Sequence, residues 1–204
     1  MRPRQFTDEE MIREARRCFL EHGPGVAMSV IAEQLSVSPA ALFRRVGSKR
    51  ELLIRALSPS SLPPFIETLR RGPDARPVSE QIEAIALEID GFFEGLLPVV
   101  SVMRVAGIDP HELFEKFEEP PPALSVRALA AWFATLADQG RVRIDKPFAA
   151  AMAFIGGLQG RHFLRHACGA ALPPAEPDAA MAFARIFSRG IIVSRADQTP
   201  ESSP

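Results

Sequence analysis

The chain lacks the features that mark several large classes of protein. Its 204 residues include only two cysteines, Cys18 and Cys168, which provide neither a disulfide framework nor the spacing of a metal site. No apolar run approaches the roughly 18 residues that a membrane-spanning helix requires. The first residues lead directly into a polar helical pattern, so we expect no secretory signal and a reducing, cytoplasmic location, with no membrane partner.

Sequence motifs of enzymes are also missing. The chain has no glycine-rich phosphate loop, no nucleophile elbow and no cysteine–histidine frame, so we predict neither catalysis nor a cofactor. His162 and His166 have the spacing of two ligands on one face of a helix. Because no third ligand stands at a suitable spacing, we predict no metal site.

The alternation of apolar and polar residues that is typical of strands is confined to residues 141–145, which we predict to be a loop. Helical periodicity prevails elsewhere, and the nineteen prolines fall mainly between periodic segments. Hydrophobic residues make up 47% of the chain, enough for a real core. The sequence therefore predicts an all-α fold of about ten helices, over 8–22, 29–35, 39–46, 48–57, 62–70, 79–97, 98–105, 110–118, from the 120–122 prolines to Gly140, 146–168 and 178–193.

Charge is distributed unevenly along the chain, although the formal net charge is only -1. Residues 1–57 contain ten basic and seven acidic side chains, whereas residues 58–204 contain fourteen and eighteen. A basic head on an acidic body indicates that the head is the part that would meet phosphates. We predict three regions: a head over 1–57, a body over 58–195, and a disordered tail over 196–204.

The first helix carries the strongest local signals. Thr7 and Glu10 have the spacing of a capping box, and Phe6 with Met11 fits a hydrophobic staple. Gly23 supplies a left-handed residue where the helix should end.

A helix-turn-helix requires apolar residues where two short helices cross, an inward residue in the turn, and a cap with a rigid start on the second helix. The stretch 29–43 meets these conditions through Ile31, Ala32, Leu35, Val37, Ser38, Pro39 and Leu42. Ser36 stands where such a turn often has glycine. Either Ser36 is left-handed, at about 1–2 kcal/mol, or the turn has another shape.

The second of these helices begins with small residues, Ala40 and Ala41, as close approach to base edges requires. Four cations surround its end: Arg44, Arg45, Lys49 and Arg50. Lys49 follows the cap Ser48, so a phosphate there would meet a cation and helix N–H groups together.

The frame of residues 8–57 resembles the DNA-binding head of the TetR (tetracycline-repressor) family of transcription regulators. The residues that carry this resemblance are Phe19, Gly23, Ile31, Ala32, Val37, Ser38, Ala40, Leu42, Phe43, Arg44, Arg45, Val46, Ser48, Lys49, Leu52 and Leu53. The resemblance implies that residues 39–45 enter the major groove and that Lys49 contacts backbone phosphate. The DNA-binding residues that we predict are Ser38, Pro39, Ala40, Ala41, Phe43, Arg44, Arg45, Ser48 and Lys49.

Three positions depart from the pattern of that family. Phe43 replaces the usual tyrosine, so the packing role can remain while the hydroxyl contact to phosphate is lost. Arg45-Val46 replaces the common His-Phe pair, which makes Arg45 a candidate substitute contact. Ala27 replaces a usual Ser or Thr cap, so Ser29 could cap the second helix one turn later. Arg2 and Arg4 form either a minor-groove arm or an ordinary solvated terminus.

Residues 58–204 resemble the family in length and helical layout, and the resemblance implies a ligand pocket among the middle helices. Candidate pocket residues are Phe93, Met103, Trp132, Phe133 and His162, with plain core packing as the alternative. Arg104, Arg161 and His162 could face such a cavity, although we expect each of them to be exposed. In the family the last two helices pair with those of a second subunit. The dimer residues that we predict are Ala153, Gly156, Gly160, Ala180, Phe183, Ala184 and Phe187, with an intramolecular core as the alternative.

These expectations combine into a homodimeric repressor that binds palindromic double-stranded operator DNA and is released by a small apolar effector. A TetR-like activator or an effector-independent repressor fits the same residues. The alternative from another class is a helical protein-interaction module, or a small metalloenzyme, in which the helix-turn-helix is incidental.

Overall fold

A computed structural model describes residues 6–174 and 176–192. These residues form ten α-helices, which confirms the all-α prediction. Their bounds are α1 Asp8–His22, α2 Met28–Gln34, α3 Pro39–Val46, α4 Lys49–Leu57, α5 Phe65–Arg70, α6 Val78–Ala106, α7 Pro110–Phe114, α8 Pro121–Asp138, α9 Pro147–Cys168 and α10 Ala179–Ile191, with a 3₁₀ turn at Gly169–Ala171 between the last two. Within these described ranges, no helix combines the length and apolarity needed to cross a membrane.

The ends of α1 are those that the sequence predicts. The Glu10 backbone N–H donates to Thr7 Oγ1 at 3.1 Å, and the Thr7 N–H donates to the Glu10 carboxylate at 2.9 Å. This capping box satisfies two of the donors that a helix leaves unpaired at its start. Gly23 ends the helix with φ +77°.

The start of α2 differs from the prediction. The helix begins at Met28, so Ala27 is the N-cap residue, and it makes no side-chain cap hydrogen bond. Ser29 lies inside the first turn, and its predicted capping role is wrong. The helix forms without a cap because Ile31 and Ala32 are fully buried against the rest of the head, and packing stabilises short helices more than their ends do.

Pro98 does not separate two helices, as predicted, but lies inside the continuous 29-residue helix α6. A proline in a helix interior loses a backbone hydrogen bond and costs about 3 kcal/mol. The helix continues because apolar residues on both sides of Pro98 are buried, including Ile89, Val99 and Val102. Their burial outweighs the local penalty.

Two further segments, helix α7 and the loop at 141–145, also differ from their predictions. Helix α7 ends at Phe114, short of the predicted end at 118, and a turn follows in which the Phe117 N–H donates to the Phe114 carbonyl at 2.9 Å. The loop at 141–145 is confirmed as irregular, yet it pairs with the end of α10. Val142 forms a single antiparallel bridge with Ile192, and the Arg143 N–H donates to the Ile191 carbonyl at 2.6 Å.

The helices pack as two compact units. Among the described residues, the first comprises 6–61 together with 96–120, and the second comprises 62–95 together with 121–174 and 176–192. Each unit has its own buried apolar cluster, built around Phe19, Ile31 and Leu42 in the first and around Phe133, Phe154 and Leu158 in the second. The boundary after residue 57 stays a prediction, since these units are defined by packing.

Two expectations lie outside the described residues: the basic arm formed by Arg2 and Arg4, and the tail over 196–204.

Candidate functional site

The turn between α2 and α3 has the tight form of a helix-turn-helix. Ser36 adopts φ +56°, so the first of the two predicted alternatives, a left-handed serine, is confirmed. The Ser36 N–H donates to the Glu33 carbonyl at 2.9 Å, and the Val37 N–H donates to the Ala32 carbonyl at 3.0 Å. These bonds fix the angle at which α3 leaves α2.

Helix α3 begins as the sequence predicts. Ser38 Oγ accepts from the Ala41 N–H at 3.2 Å, and Pro39 occupies the first helical position. Leu42 is fully buried on the inner face, whereas Ala40 is exposed on the outer face. The exposed start of α3 therefore presents small side chains that leave the backbone accessible.

Two of the four cations near α3, Arg44 and Lys49, have no carboxylate partner in the described part of the chain. Within residues 6–174 and 176–192, neither takes part in an ion pair or a side-chain hydrogen bond. Lys49 opens α4 directly after its cap, Ser48, whose Oγ accepts from the Glu51 N–H at 3.0 Å. Positive charge and unpaired helix N–H groups therefore coincide there, as an anion site requires.

Arg45, by contrast, is held against the start of α1. Its Nε and one terminal nitrogen each lie 2.7 Å from Asp8 Oδ1, and its other terminal nitrogen donates to the Phe6 carbonyl at 2.5 Å. The guanidinium also lies 4.6 Å from the centre of the Phe6 ring. Sequence spacing could not show this cluster, because 37 residues separate Arg45 from Asp8.

Asp8 is shared by two arginines. Its second oxygen accepts from Arg55 at 3.0 Å. Desolvation alone would raise the pKa of Asp8, but the bonds and charges of Arg45 and Arg55 outweigh it and hold the pKa below its usual value. The carboxylate therefore stays ionised and keeps Arg45 engaged at neutral pH.

Arg50 forms a second ion pair of this kind. Its two terminal nitrogens donate to the two carboxylate oxygens of Glu112, at 2.6 and 2.8 Å. The hydrogen bond from Arg50 lowers the pKa of Glu112, and a bond from the Asp109 N–H adds to that effect. Of the four cations around α3, two are thus paired with carboxylates and two are not.

Phe43 lies on α3 with 43% of its surface exposed. A single exposed apolar side chain is ordinary on a protein surface, so its exposure alone does not identify a contact. Its position agrees with a packing contact, which needs no hydroxyl.

The candidate pocket residues do not all lie together. Phe93, Trp132, Phe133 and His162 belong to the second unit, whereas Met103 is buried in the core of the first, among residues of the head. Trp132 and Phe133 are almost fully buried, and their rings meet edge to face at 5.6 Å. Phe133 also contacts Phe154 and Phe187, at 6.0 and 5.7 Å between ring centres.

His162 is buried, so the expectation that it is exposed is wrong. Its Nε2 lies 2.7 Å from Asp90 Oδ1, and Arg161 donates to both oxygens of the same carboxylate. Burial would raise the pKa of Asp90, but the bonds and charges of Arg161 and His162 outweigh it and lower the pKa. This cluster joins α6 to α9 inside the second unit. Arg104 is exposed, as expected, and lies in the first unit.

The candidate dimer residues divide into two groups. Ala153, Gly156 and Gly160 lie on a solvent-accessible side of α9. The four on α10 also contact their own protomer: Ala180 and Ala184 are buried, and the half-buried rings of Phe183 and Phe187 lie 5.4 and 4.9 Å from that of Phe154. Helical spacing detected this apolar face but could not say which of two partners it meets.

A different set of apolar residues faces solvent on the last two helices. The exposed members are Phe148, Met152, Phe163, Leu164 and Ile186. Phe148, Met152 and Gly156 follow one another at intervals of four residues along α9, and Phe163 continues the same stripe. We call the five exposed apolar residues, Phe148, Met152, Phe163, Leu164 and Ile186, the outer stripe.

Comparisons with known proteins agree with this geometry. Residues 11–56 match the family model described as bacterial regulatory proteins, tetR family, and residues 99–188 match the AefR-like transcriptional repressor, C-terminal domain. A comparison with curated proteins finds no match.

Solved structures share the fold at low sequence identity. A putative TetR-family regulator from Mesorhizobium loti has a TM-score of 0.69 at 16% identity, covering 91% of this chain and 96% of its own. SmeT, the repressor of the SmeDEF multidrug efflux pump of Stenotrophomonas maltophilia, gives 0.62 at 16% identity, with 98% and 96% covered. The flavonoid-responsive regulator FrrA gives 0.57 at 23% identity, with 89% and 95% covered.

The two family models together span the helix-turn-helix and most of the helical body, and the fold agrees with both. The chain belongs to the TetR family of DNA-binding transcriptional repressors, a family of regulators and not of enzymes, and it carries an AefR-like C-terminal domain.

Proposed function

We propose that the protein is a homodimeric repressor that reads a palindromic operator with α3 and leaves it when a small apolar ligand binds the second unit. One observation carries the DNA-binding part: the exposed, small-residue start of α3 is flanked by Arg44 and Lys49, which are the two of the four cations around α3 that have no carboxylate partner among the described residues. Small residues admit base edges, and free cations bind phosphate.

The geometry supports a revised set of DNA contacts. The surface that would enter the major groove is formed by Ser38, Pro39, Ala40, Ala41 and Phe43. Arg44, Ser48 and Lys49 would hold the phosphates on either side. In this proposal Arg45 is a positioning residue, because its guanidinium is already shared between Asp8 and the Phe6 carbonyl.

The outer stripe supports the dimer. Soluble monomers rarely expose a row of large apolar side chains, and such rows usually mark an interface. Gly156 lies within the stripe, and a Cβ added there would meet nothing within 4 Å, so a second helix has room to approach. We therefore propose that the stripe, together with Ala153, Gly156 and Gly160, meets the same face of a second copy in a two-fold arrangement.

Met152→Glu tests dimerisation and DNA binding together. Met152 is 51% exposed in the protomer, so the change should leave the protomer folded while placing a buried charge in each half of the interface. We expect a monomer in light scattering. Operator affinity should fall about 100-fold or more, because a monomer contacts one half-site where a dimer contacts two.

Val105→Glu is the matched control. Val105 is 76% exposed and lies in the first unit, whereas the outer stripe lies in the second, and we expect that variant to remain dimeric. A Met152→Glu protein that stays dimeric would contradict the assignment of this face. A monomer that binds operator as tightly as the dimer would contradict the two-half-site mechanism.

Two structural relatives support the ligand part of the proposal. FrrA is flavonoid-responsive, and a SmeT structure is a complex with triclosan. The candidates to contact such a ligand in this chain are Phe93, Trp132, Phe133 and His162. Met103 is no longer among them, because it lies in the core of the first unit. A ligand would act by binding more tightly to a conformer that fits the operator less well. Trp132, the only tryptophan, gives a fluorescence signal for binding inside this cluster.

A further inference from the structure

The ion pair between Arg50 and Glu112 stands beside the phosphate-binding end of α4. Arg50 follows Lys49 in the first turn of that helix, and its side chain is 56% exposed. Both nitrogens that face Glu112 are used in a two-point pair, at 2.6 and 2.8 Å. A guanidinium binds phosphate through the same two-point geometry. Arg50 can therefore form this two-point pair with the carboxylate or with a phosphate, but not with both at once.

Glu112 is held in place by a second role. The Asp109 N–H donates to Glu112 Oε1 at 3.1 Å, which completes a capping box at the start of α7. The carboxylate that pairs with Arg50 is therefore fixed by the backbone of its own helix. A fixed partner loses little side-chain freedom on pairing, so it competes well for a mobile arginine.

The contrast with Arg45 shows why Arg50 is the releasable cation. Arg45 has three kinds of contact: the Asp8 carboxylate, the Phe6 carbonyl and the Phe6 ring. Among the described residues, Arg50 hydrogen-bonds through its side chain only to Glu112, and the two side chains are 56% and 28% exposed. Exposed ion pairs are weak, so a nearby phosphate can displace the carboxylate.

We propose that Arg50 is an additional phosphate-binding residue of the operator interface and that Glu112 competes with the phosphate for it. Glu112 thereby keeps operator affinity below the value that the cations around α3 would otherwise give. This inference rests on the proposed function, since it needs α3 and α4 to lie on DNA.

The test compares Glu112→Gln with Glu115→Gln. Glutamine still serves in a capping box, so Glu112→Gln removes the charge and keeps the helix start. Glu115 lies three residues further on, is exposed, and undergoes the same change of charge. The probes are a duplex that the wild-type protein selects from a random library and an unselected mixed-sequence duplex, each titrated over a range of salt concentrations.

We expect Glu112→Gln to bind both duplexes about two- to fivefold tighter, the range by which a weak exposed pair can compete. The plot of log affinity against log salt should steepen by about 0.9 for each phosphate gained. Glu115→Gln should show neither effect. Arg50→Ala alone should weaken binding, because its phosphate contact is lost, and adding it to Glu112→Gln should cancel the gain.

Three results would overturn the inference: no gain with Glu112→Gln, an equal gain with Glu115→Gln, or a gain that survives Arg50→Ala. Lys49→Ala separates this failure from failure of the proposed function. If Lys49→Ala weakens binding to both duplexes while Glu112→Gln has no effect, the DNA-binding proposal stands and the role of Arg50 is wrong. If the wild type binds neither duplex, both are wrong.

Discussion

Replacing Ala40 with glutamate is expected to abolish tight operator binding without unfolding the protein. Ala40 is exposed in the first turn of α3, after the cap Ser38 and Pro39. An acidic residue in a first helical turn is favourable for the helix, so stability should be kept or slightly raised. On DNA the same side chain would occupy the space left for base edges and repel phosphate. Since each base contact contributes about 1–3 kcal/mol and a dimer has two half-sites, affinity should fall about 100-fold or more.

Ala123→Glu is the control for this substitution. Ala123 is also an exposed alanine in the first turn of a helix that begins with proline, in this case α8. We expect that variant to bind operator like the wild type in a fluorescence-anisotropy titration. Equal affinity of Ala40→Glu and the wild type would show that the start of α3 does not face DNA.

The second large effect concerns the packing of α9 on α10. A Cβ added at Gly157 would lie 2.5 and 2.6 Å from two atoms of the Phe183 ring, closer than real side chains approach. Phe183 is half-buried and its ring packs against those of Phe154 and Phe187, so the ring can turn away from the added methyl group only by losing those contacts. We expect Gly157→Ala to incur an overpacking penalty of about 1–3 kcal/mol, offset in part by the better helix propensity of alanine.

Gly91→Ala shows the propensity effect by itself. Gly91 is exposed within α6, and a Cβ there would meet nothing within 4 Å, so alanine should stabilise the protein by about 0.5–1 kcal/mol. Urea unfolding of the two variants should therefore differ by about 1–3 kcal/mol, with Gly157→Ala the less stable. Two variants of equal stability would mean that α9 and α10 do not approach closely at Gly157.

The parts of the fold that could be predicted from sequence are those whose causes lie within a few residues. The capping box at Thr7, the left-handed Ser36 and the cap at Ser38 each depend on neighbours no more than five positions away. The bounds of α1 and α3 follow from such signals, and both were predicted to the residue. The same local rule failed at Pro98, because burial of apolar residues on both sides of it is a tertiary effect.

The candidate site could be predicted only in part, because its ion pairs join distant positions. Arg45 and Arg50 belong to the same run of cations as Arg44 and Lys49, and nothing local distinguishes them. Their carboxylate partners stand 37 and 62 residues away. On α10 the helical spacing located an apolar face correctly, but an apolar face does not reveal whether it packs on its own chain or on a second copy.

Operator recognition by α3 is tested by selecting the DNA that the purified protein binds from a library of random-sequence duplexes. We expect enrichment of a palindrome whose half-sites are about one helical turn, or a multiple of one turn, apart. Binding to it should weaken steeply as salt rises. If no sequence is enriched, or if the affinity for the enriched sequence does not depend on salt, then operator recognition by α3 with phosphate contacts from Arg44 and Lys49 is contradicted.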